Sequence, residues 1–177
     1  MQTQNSNIQI RQELVNSIVH GFGIIFGVVS IPILIAFAIK SDNTPGIIGA
    51  AIYGFSFLQL FTFSTLYHGV QHAQSKRTLE ILDHISIYFL IAVTYTSFLL
   101  MYMPNSFGIT LLSVLWGLTV LGIIYKIFFI GKWKIFSTLI YIGMGLIMVV
   151  GGRTFFESIP SNILIMILIG AALYLIG

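Results

Sequence analysis

Cysteine is absent from the chain's 177 residues. That removes disulfides and thiolate ligands, and leaves histidine and carboxylate side chains as the donors for any metal. Charge is nearly as scarce. Asp, Glu, Lys and Arg make up 7% of the residues, where an ordinary soluble domain carries about a quarter. Eight basic and five acidic side chains could not cover the surface of a soluble protein of this length. The formal net charge of +3 is small and dispersed, so no nucleic-acid partner is expected. Several catalytic spacings are missing as well. There is no phosphate-cradling glycine loop ending in Lys-Ser/Thr, no Gly-x-Ser-x-Gly elbow and no His-Glu-x-x-His.

What the chain has in abundance is apolar. Hydrophobic residues make up 57% of it and aromatic residues 14%, with a mean hydropathy of +0.99. A spanning helix needs about 20 mostly apolar residues. Six such stretches can be drawn: about Val15 to Ile39, Gly46 to His68, Leu82 to Met103, Phe107 to Tyr125, Ile135 to Val150, and Pro160 to the end. Short separators make neighbouring helices antiparallel, and Gly69 to Ile81 is the most polar of them. A transmembrane barrel would instead show alternating segments of about ten residues. The expected fold is therefore all-α, a polytopic membrane helix bundle in which each segment pairs its own backbone amides. Ala36-Phe37-Ala38 imitates a signal-peptidase site, but the apolar run before it is too long for a leader, so a retained first helix is expected. Residues 1–14 read as a polar cytoplasmic segment and residues 15–177 as the membrane domain. From Ala171 to Gly177 the chain is still apolar, and a seventh helix beyond residue 177 is expected. Gly23-x-x-x-Gly27 has the spacing that lets helices approach closely, and packing within the chain is its simplest use.

Orientation follows from lysine and arginine. Arg11, Lys76, Arg77, Lys126, Lys132 and Lys134 fall on one side, Lys40 and Arg153 on the other. Six against two places the N-terminus in the cytoplasm of a multi-pass plasma-membrane protein. The lipid bilayer is then its obligatory partner, and nothing in the sequence fixes an oligomeric state.

Against this background Asp83 stands out, because an ionisable group at membrane depth is costly and usually marks a site. It lies fifteen positions after His68, and both belong to the same side of the membrane. Ser64 precedes His68 by four residues, about 40° away around the helix and about 6 Å along it, so the two share a face. His68 offers an imidazole to a metal. Asp83 could hold a metal-bound water or act as a ligand, and Ser64 could hydrogen-bond either. The plainer reading is an interfacial histidine and an aspartate capping the third helix, favoured by its free amides and dipole. His72 repeats the four-residue step but sits among polar residues and reads as solvated; His84 points about 100° away from Asp83. Glu13, Asn16 and His20, spaced i, i+3, i+7, form a polar stripe at the same end.

These residues, in order, resemble the hemolysin III family, the bacterial branch of the progestin and adiponectin receptor group. The resemblance runs from Glu13 to Gly177. It rests on Glu13-x-x-Asn16-x-x-x-His20-Gly21, on Ser64-Thr65-Leu66-Tyr67-His68, and on Leu82-Asp83-His84 followed by Ile87-Tyr88 and Thr94-Tyr95-Thr96. It implies seven helices, a cytoplasmic N-terminus and a zinc site near the cytoplasmic face. His68 would be a direct ligand, Asp83 would hold the zinc-bound water, and the remaining ligands would be a His-x-x-x-His pair beyond residue 177. Without that pair the chain is expected to bind zinc poorly or not at all. Val93-Thr94-Tyr95-Thr96-Ser97 lacks the glycine and proline usual in the third helix of the group. Because the group's relatives include ceramidase-like enzymes, the resemblance implies a zinc-dependent hydrolase of a lipid amide or ester, with Asp83 and Ser64 catalytic. The competing expectation is a membrane-lytic or channel-forming protein without enzymatic activity. Helices four to six, with few polar residues such as Ser113, Thr119 and Ser137, offer such a pore almost no polar face.

Overall fold

In a computed structural model the backbone is described for residues 2–129 and 134–176. Seven helices follow one another and no strand occurs among the described residues: α1 (Gln2–Lys40), α2 (Thr44–Gly69), α3 (Ala73–Tyr102), α4 (Ser106–Phe129), α5 (Lys134–Gly145), α6 (Ile147–Ser158) and α7 (Ser161–Ile176). Four of them, together with the α5–α6 pair taken as one span over Ser137–Ser158, are long and apolar enough to cross a bilayer. The described apolar part of α7, Ser161–Leu173, is shorter. The chain is a multi-pass membrane helix bundle.

Local chemistry sets the breaks. Asp42 takes a left-handed backbone (φ 48°) between α1 and α2. Asn43 then caps α2, its side chain accepting from the Gly46 amide at 2.9 Å, with Pro45 in the first turn where no amide partner is needed. Pro104 follows the end of α3, and the Asn105 side chain accepts from the Gly108 amide at 2.9 Å as α4 begins. The most polar connection is shorter than the sequence suggests. Only Val70, Gln71 and His72 separate α2 from α3. The polar residues 73–81 carry the helix on beyond the apolar stretch, since helical periodicity does not require apolar residues on its solvated turns. The fifth span is broken at Leu146 (φ −90°, ψ 8°), where the Tyr95 hydroxyl donates to the Gly145 carbonyl. It kinks again at Gly152 (φ 53°), a backbone that disfavours any Cβ.

α1 packs on α2, α2 on α3, and α3 on both α4 and α5. The residues of α1 that turn inward fall on one stripe: Glu13, Ser17, His20, Ile24, Gly27 and Ile31. Glycine makes that seam tight. A Cβ on Gly23 would lie within 2.2 Å of the Phe61 ring, and one on Gly27 within 2.8 Å of Leu58. The Gly23-x-x-x-Gly27 spacing thus serves packing within the chain. On the other side of the bundle, Tyr88, Ala92, Leu99, Leu115, Met144 and Phe155 form the apolar core between α3, α4, α5 and α6.

Candidate functional site at the α1–α2–α3 end

The turn between α2 and α3 brings the end of one helix and the start of the next against the first turns of α1's apolar stretch. Glu13 is the hub. His68 Nδ1–H donates to Glu13 Oε2 at 2.8 Å, and the Lys76 ammonium lies 3.0 Å from the same oxygen. Lys76 also donates to the Tyr67 carbonyl at 3.3 Å and sits 4.9 Å above the Tyr67 ring. One carboxylate therefore joins three helices. Because an ionised carboxylate only accepts, the neutral His68 ring carries its proton on Nδ1 and its lone pair on Nε2. Lys76 places a positive charge against that carboxylate.

His20 lies one turn deeper on the same α1 stripe. Its ring stacks almost parallel to His68 (8° between planes, centroids 5.6 Å apart) and tilts against Phe61 at 5.7 Å. Its Nδ1 is shut off from solvent and has no hydrogen-bond partner. His20 also lies near the charges of His68 and Asp83.

Asp83 is not a helix cap. α3 starts at Ala73, so Asp83 stands ten residues inside it, about 15 Å along the axis. The cap of α3 is His72, which is exposed and accepts from the Ser75 amide. The aspartate-cap reading fails because the helix begins earlier than its apolar part. Asp83 is half-buried and forms no hydrogen bond or ion pair among the described residues. Its field reaches His20 and Tyr67. Ser64, on the His68 face of α2, is buried. Asn16 is exposed, and Ser17 takes its place on the inward stripe, donating to the Thr65 carbonyl at 2.9 Å. His84 turns away from the cluster, its Nδ1 donating to the Glu80 carbonyl at 2.6 Å.

Sequence reasoning picked out His68, Ser64 and Asp83 but did not pair Glu13 with His68, and it gave Lys76 no role beyond topology. The seven-residue step from Glu13 to His20 was the available signal; only the fold says which residue of α2 it meets. Two imidazoles and a carboxylate are the right kind of donors for a borderline divalent ion. Even so, no group of three His, Asp or Glu side chains is gathered to hold one ion among the described residues.

Residues 8–177 match a family model described as haemolysin-III related. The chain is 37% identical over 168 residues to a hemolysin-3 homolog of Bacillus subtilis (strain 168), a match covering 95% of this chain and 79% of that protein. It is 38% identical over 168 residues to hemolysin-3 of Bacillus cereus, covering 95% of this chain and 77% of that one. No solved structure matches it.

Proposed function

Since the chain belongs to the haemolysin-III-related family, we propose that it is a membrane hydrolase of a lipid amide or ester, working at the cytoplasmic side of the plasma membrane. The observation that carries this reading is the Glu13–His68 hydrogen bond, with Lys76 on the same oxygen. A carboxylate that receives the Nδ1 proton of a histidine fixes the tautomer and aims Nε2 outward. That is how both general bases and metal-bound histidines are oriented.

In this reading a lipid carbonyl enters sideways from the bilayer between α1 and α3. His68 presents Nε2, and Asp83, unpaired within its helix, orients the attacking water and takes its proton. Ser64 donates a hydrogen bond to the oxygen on which charge develops. Glu13 and Lys76 do not touch the substrate; they hold His68. A zinc ion at His68, when bound, supplies Lewis acidity and a water of lowered pKa. The distribution of basic residues supports the cytoplasmic placement, since Arg11, Lys76 and Arg77 cluster at this end.

The test uses the chain reconstituted in liposomes with fluorescent lipid amides and esters. Turnover is expected, and His68→Ala and Asp83→Asn should each lower it about 100-fold or more. Equal turnover in a metal-stripped sample would remove zinc from the reading; equal turnover in Asp83→Asn would remove the reading itself. The second reading, membrane lysis, draws on the names of the relatives. Dye leakage from the same liposomes without lipid cleavage would favour it.

A further inference from the structure

We propose that a groove between α1 and α2 seats the acyl tail of the lipid whose carbonyl reacts at His68 and Asp83, and so selects straight tails of about 14–18 carbons. This deepens the hydrolase reading above and rests on it.

The groove follows from how the two helices meet. Three glycines hold them together: a Cβ on Gly23 would lie within 2.2 Å of Phe61, one on Gly27 within 2.8 Å of Leu58 and one on Gly54 within 2.5 Å of Ile31. Larger side chains stand beside that seam. Phe26, Ser30, Leu34 and Phe37 recur on α1 at helical spacing, and Tyr53 and Phe57 face them from α2. The space they line is about 340 Å³, with almost wholly apolar walls. Phe26 to Phe37 is about 16 Å of helix, so the mean section is roughly 20 Å², that of one extended alkyl chain. A helix, about 10–12 Å across with its side chains, is too wide to enter it.

Continuity with the candidate site is the second part. On α2, Tyr53, Phe57, Ser64 and His68 fall within about 60° of one another around the axis, so groove and site share a face. A run of rings joins them. His68 lies 5.6 Å from His20, His20 5.7 Å from Phe61, Phe61 4.5 Å from Phe57, and Phe57 6.0 Å from Tyr53.

Length is the third. Phe57 and Tyr53 precede His68 by eleven and fifteen residues, about 16 and 22 Å along the helix. Each bond of an extended alkyl chain advances it about 1.25 Å. A tail with its carbonyl at His68 therefore reaches Phe57 at about carbon 13 and Tyr53 at about carbon 18. An eight-carbon tail, about 10 Å long, stops short of the groove. In lipid there is no water to expel from an apolar groove, so tails compete by packing alone. A tail tethered through its reacting carbonyl enters at an effective concentration that gives it the advantage over loose bilayer chains.

The probe is a hexadecanoyl amide with a photoactivatable diazirine at the far end of its tail, added to the full chain in nanodiscs and mapped by mass spectrometry. Crosslinks should fall on the groove residues. Excess unlabelled hexadecanoyl amide should remove them, and octanoyl amide should not. Ser30→Phe, which puts a ring into the groove, should abolish the competed crosslinks and lower hexadecanoyl turnover about tenfold, leaving octanoyl turnover in place. Val28→Phe, on the exposed opposite face of α1, should change neither. Should Ser30→Phe misfold, crosslinking of the unmutated chain decides. Crosslinks spread over the exposed face of α1, or removed equally by octanoyl amide, mean loose bilayer contact and overturn the inference. So does a groove without crosslinks, as when a second copy of the chain covers it. Equal turnover of the two tail lengths overturns it and leaves hydrolysis standing. Competed groove crosslinks without any lipid turnover would remove the hydrolase reading and support the tail seat as a lipid-binding site.

Discussion

α3 serves two polar neighbourhoods that are built differently. Against α4, α5 and α6 several of its polar groups are hydrogen-bonded, while the buried hydroxyls of Tyr88 and, on α5, Ser137 have no hydrogen-bond partner. Trp116 Nε1–H donates to Thr96 Oγ1 at 3.1 Å, and that hydroxyl donates to the Ala92 carbonyl at 2.7 Å. Tyr141 donates to the His84 carbonyl at 3.1 Å, and Tyr95 to the Gly145 carbonyl. Tyr88, wholly buried, lies beside Tyr141 and Ser137. Apolar side chains fill the rest. Against α1 and α2 the same helix presents an unpaired aspartate, and α1 contributes an imidazole nitrogen with no partner. In lipid each open polar group costs free energy. The contrast sets the proposed site, on the α1–α2 side, against the packed core on the other.

The largest effect should come from the closed side. Leu115 is fully buried in the core, and Gly122 lets α4 press onto the Tyr88 ring, where a Cβ would come within 2.4 Å. Leu115→Ala should cost about 2–5 kcal/mol through the cavity it leaves. Gly122→Leu should cost about 1–3 kcal/mol or more through overpacking. Both should appear as a lower apparent Tm in detergent. Affinity of the remaining folded fraction for Co²⁺, a visible stand-in for zinc, should stay within about twofold, because distant independent sites do not couple. A core variant that lost metal binding while still folded would break the separation between the two regions.

Next in size is Glu13→Gln on the open side. Glutamine keeps the shape but loses the charge that Lys76 and His68 share. A group that holds a metal-binding histidine by its other ring nitrogen is worth about 10–100-fold in metal affinity or activity. The loss should be read in Co²⁺ Kd and in lipid turnover, with an apparent Tm close to that of the parent. If Tm fell as far as for Leu115→Ala and Co²⁺ binding did not move, Glu13 would belong with the structural residues.

How much of this was legible beforehand follows from the kind of information each feature needs. Helix type and the six apolar stretches came from run length along the sequence, and the structure divides the fifth stretch between α5 and α6. Helix ends were not legible that way. Residues 73–81 are polar yet helical, and the fifth span breaks at Leu146 inside an apolar run, because a break there depends on Tyr95 from another helix. Ser64 and His68 share a face by spacing. Asp83 drew notice as a charge in an apolar stretch, but whether it capped the helix depended on where α3 starts. The Glu13–His68 bond links residues 55 positions apart, and no local pattern specifies which histidine of α2 a stripe on α1 will reach. Lys76 was read for topology alone, since a lysine near a membrane boundary satisfies the basic-residue rule whether or not it also grips a carboxylate.

Lys76 gives the smallest and most discriminating effect. Its ammonium touches Glu13 and the Tyr67 carbonyl and covers the Tyr67 ring, yet its side chain is 25% exposed. An ion pair this near water is worth about 0–1 kcal/mol and weakens with salt. Lys76→Met should therefore barely move the apparent Tm. What it should change is the carboxylate. Without the ammonium, Glu13 loses one of its two partners and holds the His68 ring less firmly. Co²⁺ affinity should fall severalfold, less than for Glu13→Gln, and the parent protein's affinity should drop toward that of the variant as ionic strength rises. Equal salt dependence in parent and variant would mean that Lys76 only pins α3 to the α2 carbonyl, and that the open side of the bundle ends at Glu13.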